Sequence, residues 1–153
     1  MTAPPSEPPL LVLDTNVVLD WLYFEDATCN LLSSAIRDRQ VRWIASPAMR
    51  DEIEHVLRRG IPARRSADAG SVMGGWDTWA LMRRAVEGPP LAALRCTDPD
   101  DQKFIDLALR TGASALLTRD RAVLKLAHRA RAHGLRIETA IAWQQRWTAR
   151  DRP

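Results

Sequence analysis

Short apolar runs of about four residues alternate along the chain with longer amphipathic stretches, and that alternation does most to narrow the fold. The runs fall at residues 10–13, 42–45, 91–95, 114–117 and 135–138, each short enough for a buried strand. Between them, residues 28–39, 47–58, 76–87, 101–110 and 121–133 carry helical periodicity, and a last helix reaches about residue 150. Strand and helix taking turns predict a three-layer α/β/α domain with a mostly parallel central sheet and right-handed crossovers. Residues 60–75 read as a polar, glycine-containing connection.

Residues 1–9 hold four of the ten prolines and read as a flexible leader, which leaves 10–150 as one domain. No stretch approaches the roughly 20 consecutive apolar residues of a membrane span, so a soluble, cytoplasmic protein is expected. The two cysteines, Cys29 and Cys96, are too far apart for a Cys-x-x-Cys motif and fit a reducing compartment. His55, His128 and His133 lack paired metal spacing, which argues against zinc. No Gly-x-x-x-x-Gly-Lys run is present, which argues against a P-loop. A net charge of +3 permits an anionic partner without demanding one.

In open parallel sheets the ligand crevice lies beyond the carboxyl ends of the strands. Asp14 directly follows the first apolar run, and Asp120 comes just after residues 115–118. Either acid, taken alone, is also an ordinary helix cap. Two helical acids add to them. In the helix begun by Ser46-Pro47, Glu52 lies roughly 40° from Val56, at the margin of the apolar stripe, on a wheel of about 100° per residue. In the helix after Asp98-Pro99-Asp100, Asp101 falls within the stripe of Phe104, Ile105, Ala108 and Leu109, whereas Asp106 faces out. Asp101 also suits a first-turn acid satisfied by backbone N–H groups. Gathered in one crevice, four carboxylates would raise one another's pKa values unless a cation were present. Hard oxygen donors without His or Cys suit Mg²⁺ or Mn²⁺, and such an ion is apparatus for phosphodiester hydrolysis.

The segments LVLDTNVVLD (11–20), SPAMRDEIEHVLRR (46–59), DPDDQKFIDLAL (98–109) and ALLTRDRAVL (115–124) together resemble a PIN-domain protein. The resemblance is to the toxin components of bacterial toxin–antitoxin modules, the VapC-like ribonucleases, and covers about residues 10–138. It implies a PIN fold, Mg²⁺- or Mn²⁺-dependent endoribonuclease activity, and catalytic roles for Asp14, Glu52, Asp101 and Asp120. Asp14, Asp101 and Asp120 would be metal ligands. RNA is the implied substrate; a cognate antitoxin and a homodimer are the implied partners. Asn16 and Thr118 match polar positions beside the acids. Many relatives carry another acid where this chain has Ala122, which weakens the case for a second ion. The alternative is a PIN-like scaffold that binds RNA or a protein without cutting.

Arg119, between Thr118 and Asp120, is the expected phosphate contact. Arg58, Arg59, Arg64 and Arg65 form a basic cluster whose default is a solvated surface. Trp76 and Trp79, like Trp143 and Trp147, have the spacing of a helix stripe packed on the core or on a second subunit. The cations of residues 121–133 read as ordinary amphipathy.

Overall fold

The structure, a computed structural model, describes residues 7–61, 68–84 and 94–150. Among them, five strands pair in parallel: β1 (Leu10–Leu13), β2 (Arg42–Ala45), β3 (Ala80–Met82), β4 (Ala115–Leu117) and β5 (Arg136–Glu138). Their spatial order is β3-β2-β1-β4-β5. Leu11 is in register with Trp43 on one side and Ala115 on the other. Helices flank the sheet: α1 (Thr15–Val18), α2 (Asn30–Arg37), α3 (Pro47–Arg59), α4 (Ala69–Trp79), α5 (Gln102–Thr111), α6 (Arg121–Leu124), α7 (Ala127–Ala130) and α8 (Ala140–Ala149).

The central strands are apolar without alternation because helices cover both faces of a parallel sheet. Leu11, Val12, Trp43, Ile44, Leu116 and Leu117 are all fully buried. Each buried Leu or Ile contributes about 1.5–3 kcal/mol by leaving water. Trp76 and Trp143 are buried in the core, and Trp79 and Trp147 pack half-buried against it. Trp76 meets Trp43 edge to face, with centroids 4.7 Å apart, and Trp143 stacks on Trp147 at 5.0 Å.

Local chemistry sets the helix ends. Ser46 Oγ accepts the Met49 N–H at 3.4 Å, with Pro47 in the first turn of α3. Helix α5 stops at Gly112, whose φ of 68° is the left-handed conformation that glycine adopts without strain.

The structure corrects the sequence reading in several places. Helix α4 starts at Ala69, inside the expected connection, because Asp68 Oδ1 caps it through the Ser71 N–H at 2.7 Å. Gly75 is needed there: a Cβ would meet Leu22 Cδ2 at 3.0 Å, so the glycine lets α4 approach the π-helical turn Leu19–Tyr23. That helix ends at Trp79, and residues 80–82 of the expected helix 76–87 form β3 instead, paired with β2. Residues 85–87 lie outside the described residues. So do 91–93 of the expected strand 91–95, and residues 94–95 carry no strand. Arg64 and Arg65 of the basic cluster and residues 1–6 of the expected leader also lie outside. Pro9 accepts the Arg42 N–H at 2.9 Å and so extends the sheet by one residue. The helical stretch 121–133 is divided into α6, α7 and a 3-10 turn closing at Gly134. Among the described residues no helix is long and apolar enough to cross a membrane.

From β1 the chain builds outward through β2 to β3, then returns to place β4 on the other side of β1. Beyond the carboxyl ends of β1 and β4, at this reversal, lies the place where such sheets usually form their ligand crevice.

Candidate active site

Asp14 stands at that reversal. Its N–H donates to Leu117 O at 2.9 Å, carrying the β1–β4 ladder one residue past the strand and fixing the backbone that bears the carboxylate. Asp14 is 4% exposed and caps α1, with Oδ1 accepting the Asn16 N–H at 3.4 Å. Its Oδ2 accepts from Thr118 Oγ1 at 2.7 Å. Thr118 is fully buried, and its own N–H donates to Glu138 O at 3.0 Å. The same hydroxyl accepts the Asp120 N–H at 2.9 Å, while Asp120 Oδ1 accepts the Ala122 N–H at 2.8 Å and caps α6. Thr118 thus ties the acid after β1 to the acid after β4.

Asp101 enters from a 3-10 turn, Pro99–Asp101, that Asp98 opens by accepting the Asp100 N–H at 2.9 Å. It is the N-cap residue of α5, and its Oδ2 is buried without a hydrogen-bond partner. Its carboxyl is pushed up to about 7, first by burial, then by the charges of Asp120 and Asp14 and a hydrogen bond with Asp120. Burial also raises Asp14. The Thr118 and Asn16 hydrogen bonds oppose that rise, and the charges of Glu52 and Asp120 add to it. Asp14 thus feels the charges of Glu52 and Asp120, and Asp101 those of Asp120 and Asp14, although 37 residues lie between Asp14 and Glu52 and 48 between Glu52 and Asp101.

Glu52 does not stand free. One carboxylate oxygen accepts from the Thr15 hydroxyl, and the other accepts from Lys103 Nζ at 2.7 Å. Lys103 Nζ also donates to Asp100 O at 2.5 Å, which anchors it to the turn bearing Asp101. Thr15 and Lys103 are site residues that sequence reasoning missed. The only local signal is their place beside Asp14 and two residues after Asp101. Arg119 is exposed, and its guanidinium forks onto Asp20, with Nε–Oδ2 2.7 Å and Nη2–Oδ1 3.1 Å. Asn16 is exposed and reaches the acids through its backbone N–H alone.

The Asp106 carboxylate does not face solvent as the helical wheel indicates. It is buried and accepts from Gln102 Nε2 at 2.8 Å. Gln102 Nε2 also donates to Leu94 O at 2.9 Å, and its Oε1 accepts the Cys96 N–H at 2.7 Å. This clamp holds residues 94–96 against α5, beside the turn that carries Asp101.

The donor chemistry fits a hard divalent cation: oxygen ligands only, mutual repulsion among them, and an orphaned buried oxygen on Asp101. Among the described residues, no group of three or more His, Cys, Asp or Glu stands close enough together to hold an ion as placed. A family model described as PIN domain matches residues 10–122, a span that includes all four acids. No curated protein matches the chain.

Proposed function

The chain belongs to the PIN-domain family, whose members are generally nucleases, and from that premise we propose that it is a metal-dependent endoribonuclease. The observation that supports this most is the pressure on Asp101: a half-buried carboxyl whose Oδ2 is buried without a partner, pushed up to about 7 first by burial and then by two neighbouring acids. A cation relieves that pressure more fully than protonation does.

Asp14, Asp101 and Asp120 would hold Mg²⁺ or Mn²⁺. When bound, such an ion neutralises charge on the scissile phosphate and lowers the pKa of water. The chain's own residues do the rest. Thr118 Oγ1 fixes the rotamer of Asp14, and the Leu117 carbonyl fixes its backbone. Glu52, held by Thr15 and Lys103, orients the attacking water. Asn16 lines the rim, and Arg119 contacts a phosphate by exchanging its Asp20 partner. Direct attack of water on phosphorus leaves a 5′-phosphate and a 3′-hydroxyl.

The resemblance in the four motifs extends the proposal to a toxin of a toxin–antitoxin module, acting in the cytoplasm as a homodimer and restrained by a cognate antitoxin. The test is cleavage of varied RNAs with Mn²⁺. The wild type cuts and EDTA stops it, while Asp14→Asn and Asp101→Asn lose on the order of 100-fold or more in rate, the scale of a general acid–base or electrostatic contribution. Undiminished cleavage by both variants, or in excess EDTA, overturns the reading.

A second reading is favoured by the Lys103–Glu52 pair, which already supplies one cation to the crevice, and by Ala122. In it the fold binds RNA or a protein without cutting. Salt-dependent RNA binding with no cleavage and no thermal shift on adding Mn²⁺ selects it.

A further inference from the structure

Residues 121–137 contain five Lys or Arg and no Asp or Glu. Of the chain's formal net charge of +3, this stretch contributes +5 and leaves the remainder at −2. The fold arranges it as a ramp. It begins at Arg121, directly after Asp120 at the crevice, and ends at Arg136, the first residue of edge strand β5 at the opposite end of the sheet. Val123, Leu126 and Ala130 are buried and seat α6 and α7 on β5. Arg121, Lys125, His128, Arg129, Arg131 and Arg136 are all exposed. The Lys125 N–H donates to Arg121 O at 3.0 Å, and Lys125 lies about 40° from Arg121 on a helical wheel, so these two share one side of α6; Arg129 and Arg131 follow in and just after α7.

Among the described residues, none of the five cations has a carboxylate at ion-pairing distance. Elsewhere Arg119 is bound to Asp20, Arg146 to Glu138 and Arg58 to Glu54; Arg37, Arg39 and Arg42 are also exposed with no carboxylate at ion-pairing distance among the described residues, but Asp38 lies among them in the chain. A crevice of four carboxylates repels a polyanion, so a strand that must enter it needs attraction from nearby surface. The ramp supplies it without internal competition.

We infer that the exposed cations of α6, α7 and the start of β5 form a track for the phosphate backbone of a single-stranded nucleic acid leading away from the crevice. Recognition is chiefly by charge: no Phe, Tyr or Trp lies among residues 121–137, so the track discriminates little between bases. The inference rests on the nuclease reading for the direction of the strand, which runs from Asp120 toward Arg136.

Fluorescence anisotropy with a labelled single-stranded oligouridylate, in EDTA and over a salt series, measures the track without any cleavage. Lys125→Gln/Arg129→Gln/Arg131→Gln lowers affinity on the order of ten-fold and the slope of log K against log salt by about 2, since each neutralised phosphate accounts for about 0.7. Arg37→Gln/Arg39→Gln/Arg42→Gln removes three exposed cations elsewhere and stays within about two-fold of wild type. Equal loss in both triple variants overturns the track, as does wild-type affinity in the first. Preference of the wild type for an acidic peptide over the oligouridylate overturns it in favour of a protein partner. Asp14→Asn separates the two proposals because it retains the binding even where cleavage is lost. Should the wild type bind along the ramp yet never cut, the nuclease reading fails and the track stands.

Discussion

Thr118 Oγ1 lies 2.7 Å from Asp14 Oδ2 and donates to it, while the same oxygen accepts the Asp120 N–H at 2.9 Å. A single buried hydroxyl, 104 residues from Asp14 in sequence, therefore satisfies one acid's side chain and the other's backbone across the β1–β4 junction.

Thr118→Val keeps the shape and removes both bonds. Leaving a buried carboxylate and an N–H unsatisfied costs about 1–3 kcal/mol, read as a lower urea midpoint with an unchanged m-value. Thr118→Ser retains most of the stability. If valine is tolerated at no cost, the hydroxyl is not the tie described above.

The raised carboxyl of Asp101 links stability to pH. In the folded chain it keeps its proton up to about 7, whereas unfolded it ionises near 3.8, so between those values the folded state binds more protons. The contribution of this group to stability is thus present below about pH 4 and is lost as pH rises toward 7. Melting of the metal-free protein at about pH 5 and pH 8 should show the decline, and Asp101→Asn should flatten it. Added Mn²⁺ should raise Tm chiefly at the higher pH, where the carboxylates are ionised.

Lys103→Met removes the ammonium that competes for Glu52. The pair is partly exposed, and such pairs are worth about 0.2–1 kcal/mol. Mn²⁺ affinity measured by calorimetry should rise accordingly, by up to about five-fold. A weaker affinity shows instead that Lys103 helps to shape the ion's site.

Gln102→Ala opens the clamp on residues 94–96. It leaves the Leu94 carbonyl, the Cys96 N–H and the Asp106 carboxylate without this partner, at a cost of about 2 kcal/mol. Hydrogen exchange should speed at the Cys96 amide more than at the amides of β1 and β4, which the clamp does not touch.

Much of this architecture is legible in the chain because parallel strands covered on both faces are apolar throughout. Residues 10–13, 42–45, 114–117 and 135–138 stand out for that reason, and the residues just after them are where a ligand crevice lies. Helical phase also placed Glu52 and Asp101 inward. What escaped depends on pairings between distant segments. Strand β3 is three residues long, follows Trp79 without a break in apolar character, and is a strand only because β2 offers it an edge. Asp106 sits outward on an isolated helix, yet residues 94–96 fold over it through Gln102. Lys103 reads as a solvated lysine until α3 brings Glu52 to it from 51 residues away.

The pairing of Leu11 with Ala115 has a consequence for biosynthesis. Strand β1 leaves the ribosome about a hundred residues before its neighbour β4 and the residues Thr118 and Asp120. Closing a loop of that length is a slow, entropically opposed step. Until it closes, Asp14 faces no companion from the second half of the chain, and the grouping of acids around it is incomplete. The closure that joins the two halves of the sheet is also the moment at which Asp14 meets Thr118 and Asp120.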